Sequence, residues 1–296
     1  GLGLLEQAGK LMHPEVKRED SLSEGVEVKR LEAHGGGIYF LCRMPHGHEI
    51  ISCGEEGLIR FHNTETGNIR LTIDAGQGEV NGVAVTGDGT KLASAGDDGT
   101  IALWDPSTGK QLASFKAHRR QAFQVAWSRD QKWLATCGNE ADVHIWDAAS
   151  FQRLSTLTSR GKDLECVAVD TQNNLAFGAE GGSVVLLTPD PDTGLPTERR
   201  DQQAGWYGRV PAGQCSTLAF SPAGDIMAAG RETGALVLQQ ISQPEGLYRE
   251  FPMNEAVWAI NFSPGGDALA VGEKDGSITT FRLPSYLLQA KLVLSS

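Results

Sequence analysis

LASAGDDGTIALWD at residues 92–105 returns at 134–147 as LATCGNEADVHIWD, with weaker copies at 50–63, 175–188, 227–240 and 269–282. The chain is therefore one unit of about 42 residues used six times, and a unit of that size must stack on its neighbours to bury its apolar face. Alternation and turn residues divide the second unit. An innermost strand at 80–85 is followed by the turn Gly87-Asp88-Gly89, a second strand at 91–95 and a turn at 96–99. A third strand at 101–104 and an outer fourth at 111–115, after the turn Ser107-Thr108-Gly109, complete it. The period places the other inner strands at 38–43, 122–127, 164–169, 215–220 and 257–262. Each is nearly continuously apolar, as a strand packed between two neighbours should be.

Composition supports a globular β-protein. The 296 residues are 40% hydrophobic, enough to bury a core without metal or disulfide, and the 36 glycines suit a fold with tight turns throughout. No run of 18 apolar residues and no signal-peptide pattern occurs, which predicts a soluble, cytoplasmic protein that does not engage a membrane. A formal net charge of −11 argues against nucleic-acid binding and favours a basic partner. The five cysteines, Cys42, Cys53, Cys137, Cys166 and Cys215, fall in or beside predicted strands without CxxC spacing, so they read as reduced packing residues. A Cys42–Cys53 bridge across neighbouring strands is the less favoured alternative.

Trp-Asp pairs close the two best copies, as Trp104-Asp105 and Trp146-Asp147, each after a turn. In period and in these pairs the chain resembles the WD40 family over residues 29–294. The other copies depart from it, with His62-Asn63, Leu187-Thr188, Gln239-Gln240 and Phe281-Arg282. The resemblance implies an all-β propeller with six recognisable four-stranded blades over residues 25–296. Residues 25–32 look like an outer strand, and residues 1–24 read as an N-terminal extension or a degenerate closing blade. The unit count and the initial Gly fit a piece of a longer protein, either a six-bladed ring with a cap or a seven-bladed ring with one blade incomplete. The regular repeats are similar to those of bacterial WD40 domains fused to regulatory partners.

The resemblance also implies a buried hydrogen-bond network in each blade. The third unit supplies it with His118, Thr136, Glu140 and Trp146. The second has Ser94, Asp98 and Trp104 but Gly76 where the His would stand, and the first has His34, Ser52 and Glu56 with His62 in the Trp position. These residues read as structural rather than as a hydrolase triad. GxSxG, HExxH, P-loop and GxGxxG motifs are all missing, so no catalytic residue and no cofactor is expected. His46 and His48, near Cys42 and Cys53, match no zinc spacing, so no metal is expected either.

What remains is the narrow top face, to which the resemblance assigns three positions per blade. The third positions of the inner strands are Tyr39, Asn81, Phe123, Glu165, Ser216 and Trp258. The first positions are Gly37, Glu79, Gln121, Asp163, Gln214 and Ala256, and the turn positions are Glu55, Asp97, Asn139, Glu180, Glu232 and Lys274. Aromatic anchors amid carboxylates suit a basic, Lys- or Arg-bearing segment. A long insertion at 189–213 adds Trp206 and Tyr207 as loop candidates. The expectation is a non-enzymatic scaffold or sensor module binding a protein or peptide, or other domains of a parent chain. The alternatives are a propeller enzyme or metal-dependent hydrolase with channel acids such as Glu79 and Asp163, or a purely structural oligomerisation module.

Overall fold

Antiparallel strands and short turns account for every regular element in a computed structural model, which describes residues 34–158, 164–178, 184–197, 205–207, 215–241, 248–263, 265–274 and 278–283. Blade 1 is β1 (Ile38–Arg43), β2 (Glu49–Gly54), β3 (Leu58–Asn63) and β4 (Ile69–Asp74). Blade 2 is β5 (Val80–Val85), β6 (Leu92–Gly96), β7 (Thr100–Trp104) and β8 (Gln111–Lys116). Blade 3 is β9 (Ala122–Trp127), β10 (Trp133–Gly138), β11 (Glu140–Asp147) and β12 (Arg153–Thr158). Blade 4 is β13 (Val167–Val169), β14 (Leu175–Gly178), β15 (Val184–Leu187) and β16 (Gly205–Tyr207). Blade 5 is β17 (Cys215–Phe220), β18 (Ile226–Arg231), β19 (Ala235–Gln240) and β20 (Tyr248–Pro252), and blade 6 is β21 (Val257–Phe262), β22 (Ala268–Glu273) and β23 (Ile278–Arg282).

Every sheet is an up-and-down meander in chain order, the signature of a propeller blade. Five sheets have four strands, but the sixth has three among the described residues, so the expectation of six four-stranded blades is corrected there. Residues 1–24 and 25–32, from which a cap or closing blade was expected, lie outside the described residues. No helix among the described residues is long and apolar enough to cross a membrane.

Burial explains why the units stack. Five apolar clusters lie between successive blades rather than within any one of them. Leu92, Ala102 and Trp104 of blade 2 face Ile51, Ile59 and Phe61 of blade 1, while Ala93, Ile101 and Leu103 turn the other way towards blade 3. Alternation along each strand thus serves two interfaces. Glycines close the turns where backbones crowd. Gly99 holds φ +77°, and a Cβ there would run into the carbonyl oxygens of His118 and Arg120 in the approach to blade 3.

Two strand expectations change. The inner strand predicted at 164–169 shortens to β13, whose first residue, Val167, donates its N–H to the Gln124 side chain of blade 3 (2.9 Å). Leu164 and Cys166 remain buried beside it. Inner strands were also expected to be buried on both sides, yet Ile38, Tyr39 and Leu41 of β1 and Trp258 of β21 are about half exposed. These are the innermost strands of the first and last described blades, and each has a blade on one side only among the described residues.

Candidate functional site

A one-residue slip in pairing recurs at the same point of five inner strands. In β1, Ile38 pairs with Gly54 and Phe40 with Cys53, leaving Tyr39 bulged between them. The same slip leaves Asn81 in β5, Phe123 in β9, Ser216 in β17 and Trp258 in β21 without a cross-strand partner. A bulge turns its residue out of the pleat. The turn that follows each second strand is then tied back to the inner strand. The backbone N–H of Glu55, Asp97, Asn139 and Lys274 donates to the carbonyl of Gly37, Glu79, Gln121 and Ala256 respectively, at 2.9 to 3.0 Å. Bulged, first and turn residues therefore sit together at one end of blades 1, 2, 3 and 6.

At blades 1 and 2 this end is acidic and aromatic. Tyr39 hydrogen-bonds Glu79, and its phenol is pushed up to about 12, first by desolvation, then by that bond and the charges of Glu79, Glu55 and Asp97. Tyr39 as a whole is 46% exposed. Glu55 accepts the Gly37 N–H at 2.9 Å, which orients its carboxylate over the start of β1. Asp97 accepts from the amide of Gln121, whose Oε1 in turn accepts from Asn139 (3.2 Å). Tyr39 thus lies in the field of three carboxylates, one of which, Asp97, is joined through Gln121 to Asn139 of blade 3.

The remaining top-face candidates behave differently. Asn81 donates to the Ala122 carbonyl (3.0 Å) and Ser216 to that of Val257, so both clip their blade to the next. Phe123 packs against the cluster between blades 3 and 4. Trp258 is exposed, but Lys274 lies over its ring at 5.8 Å. Glu165 is half-buried beside Cys137, and Glu232 is exposed. Asp163, Gln214 and Glu180 lie outside the described residues, as do the side chains of Trp206 and Tyr207. The backbone of those two residues forms β16, so part of the long insertion is the outer strand of blade 4 rather than a free loop.

Inside the blades, the expected networks are present with one substitution. In blade 3, His118 Nδ1 meets Glu140 at 2.6 Å, His118 Nε2 meets Thr136 Oγ1 at 2.8 Å, and Trp146 Nε1 donates to that hydroxyl at 2.9 Å. The carboxylate requires the proton on Nδ1, so Nε2 accepts from Thr136. Burial presses the His118 imidazole down to about 4 against the pull of Glu140, which keeps it neutral at pH 7. In blade 2, Gln77 and not Gly76 fills the His position. It accepts from Ser94 Oγ (2.5 Å) and donates to Thr100 (2.9 Å), Thr100 donates to Asp98 (2.7 Å), and Trp104 donates to Ser94 (2.8 Å). In blade 1, His62 replaces the indole and meets Ser52 at 2.7 Å, while His34 bridges Ser52 and Glu56. Ser52 is fully buried, its hydroxyl held between the two imidazoles.

The cysteines are free thiols. Burial raises the Cys42 thiol to about 12, and that of Cys53 rises as well. A thiol pair the sequence did not suggest is Cys166 and Cys215, whose sulfurs lie 3.6 Å apart across blades 4 and 5. His48 pairs with Glu65 at 3.4 Å rather than with a cysteine.

Against known families, the model described as "WD domain, G-beta repeat" matches residues 25–63, 67–105, 109–147 and 247–281. These segments make up about half of the chain and take in blades 1 and 2, the first three strands of blade 3, the outer strand of blade 5 and most of blade 6. No curated protein matches the chain.

Proposed function

This chain belongs to the WD40 family, and from that premise we propose that it is a non-enzymatic interaction module holding a basic segment of a protein partner at the Tyr39 end of blades 1 and 2. WD40 propellers generally mediate protein–protein interaction. The choice of end rests on one observation: Tyr39 is an exposed aromatic whose near electrostatic neighbours are all carboxylates, namely Glu55, Glu79 and Asp97. An ammonium or guanidinium arriving there meets a ring face and several acceptors at once. Trp258, the other exposed aromatic of the set, has Lys274 of the same chain near its ring. The contrast favours blades 1 and 2 over blade 6.

The test is a fluorescence-anisotropy titration with a labelled Lys/Arg-rich peptide and its Glu-substituted counterpart. Binding of the basic peptide alone is expected, weakening as salt rises from about 0.05 M to about 0.5 M, because exposed charges are screened beyond a few ångströms at the higher value. Glu55→Gln, Glu79→Gln and Asp97→Asn together should abolish it, and Tyr39→Ala should weaken it about tenfold or more, as expected for an aromatic anchor. Equal binding of both peptides, or full binding by the triple variant, overturns the proposal.

A further inference from the structure

Blade 3 carries a group that its family network does not use. His144 stands four residues after Glu140 on β11, its Nε2 3.6 Å from the Glu140 carboxylate and its Nδ1 3.1 Å from Thr156 Oγ1. Its ring lies beside that of His118, with centroids 4.9 Å apart. One nitrogen of each imidazole and a Glu140 oxygen fall within 4.8 Å of one another. We propose that His118, Glu140 and His144 form a binding site for a divalent transition-metal ion of the zinc class, independent of the peptide-binding end.

Comparison of blades supports a cation at this point. In each of the first three blades, the residue four places after the network acid pairs across the sheet with the network hydroxyl: Arg60 with Ser52, Ala102 with Ser94, His144 with Thr136. In blade 1 that residue is a permanent cation, and Arg60 reaches Glu56 at 2.9 Å. In blade 2 it is Ala102, and the acid Asp98 is satisfied by Thr100. Blade 3 has the acid of blade 1 but imidazoles around it, which are neutral ligands ready for a metal. Two imidazoles and one carboxylate make a borderline donor set that suits Zn²⁺ and leaves a fourth position open.

The surroundings fit as well. Both rings have an outer partner on the nitrogen facing away from the site, Thr136 on His118 Nε2 and Thr156 on His144 Nδ1, as ligating imidazoles require. Both His side chains are buried, while Glu140 retains 22% side-chain exposure and so opens the site to solvent. Metal binding at Nδ1 moves the His118 proton to Nε2, which then donates to Thr136. The Thr136 hydroxyl hydrogen turns to a strand carbonyl, as Ser94 Oγ lies 3.5 Å from that of Ala102 in blade 2. Asp142 and Arg153 complete the charged surroundings of His144, and the Asp142 carboxylate is held by Thr158 at 2.8 Å.

The experiment uses the full chain, stripped with a chelator and titrated with Zn²⁺ against a chromophoric competitor, with Co²⁺ absorption reporting the ligand set. The expected result is one ion bound per chain and a rise in Tm with Zn²⁺. His144→Ala leaves the His118–Thr136–Trp146 contacts in place and should weaken binding by more than about 100-fold, since even an outer-shell loss costs 10–100-fold. His48→Ala, on an exposed turn, should change nothing. The proposal fails if no Zn²⁺ binds at large excess, or if His144→Ala binds one ion as tightly and gains the same Tm. Glu140→Gln serves as an independent check and should cost affinity to a similar degree.

Discussion

In blade 2 the Ser94 hydroxyl donates a hydrogen bond to an amide oxygen, that of Gln77, whereas in blade 3 the Thr136 hydroxyl donates one to an imidazole nitrogen, that of His118. Both hydroxyls receive the indole N–H of a blade-closing tryptophan, Trp104 or Trp146. The shape of the network is therefore independent of the group that completes it, because what matters is one buried acceptor for one buried hydroxyl. The two solutions differ in what else they do. Gln77 cannot titrate, and its amide is used up on Thr100. His118 can titrate, and through Glu140 it is joined to a second imidazole, His144.

The sharpest way to break the comparison is to remove the shared element. Thr136→Val keeps the volume but leaves the Trp146 N–H and a His118 nitrogen buried and unpaired. Each such group costs about 1–3 kcal/mol, so a loss of about 4 kcal/mol is expected in urea or guanidinium unfolding. Ser94→Ala should cost about as much in blade 2, although the Gln77 amide keeps its bonds to Thr100. If either variant is within about 0.5 kcal/mol of wild type, the hydroxyl is not the hub of its network.

Acid should separate the blades, measured with a chelator present so that protons meet no competing metal. The folded His118 pKa lies near 4, below the ordinary 6.5, because burial disfavours the imidazolium. Between those values the unfolded chain binds more protons than the folded one, so stability is complete above about pH 6.5 and falls as pH drops towards 4. His144, also lowered by burial, adds to the same window, and Glu140, Asp142 and Arg153 are the charges that face the pair. A loss of about 3 kcal/mol across that window is expected. His118→Gln should remove most of it, and an unchanged slope in that variant assigns the acid response elsewhere.

The period and the strand alternation were legible because both are one-dimensional: turn glycines and apolar strands recur about every 42 residues whatever the blades later do with them. The Tyr39, Glu55, Glu79 and Asp97 neighbourhood was reached by carrying register from blade to blade, and the bulges show why that transfer works. Gln77 was not legible. Gly76 takes φ +62°, and this left-handed step puts the inward side chain one place later than the period predicts. His144 was visible as one alternate residue of VHIWD, yet its partners lie at Glu140 on its own strand and at His118, 26 positions earlier, and only the folded sheet brings these together. The Cys166–Cys215 approach likewise depends on how blade 4 packs on blade 5.

The smallest effect is the most discriminating, because it moves one solution into the other blade. Gln77→His places an imidazole where Ser94 still needs an acceptor and where Thr100 and Asp98 wait on the far side. The altered reach and the left-handed Gly76 just before it make the fit imperfect, so a cost of about 1 kcal/mol is expected at pH 8, the worth of one strained hydrogen bond. The same variant should gain acid sensitivity below pH 6.5 that wild-type blade 2 lacks, since a buried imidazole resists its proton wherever it is placed. Combined with His118→Gln, it should transfer the acid response from blade 3 to blade 2 without deleting it. A double variant with no acid response beyond the part that His144 retains would show that burial alone does not keep an imidazole at position 77 neutral, and that the surroundings of His118 set the pH dependence of blade 3.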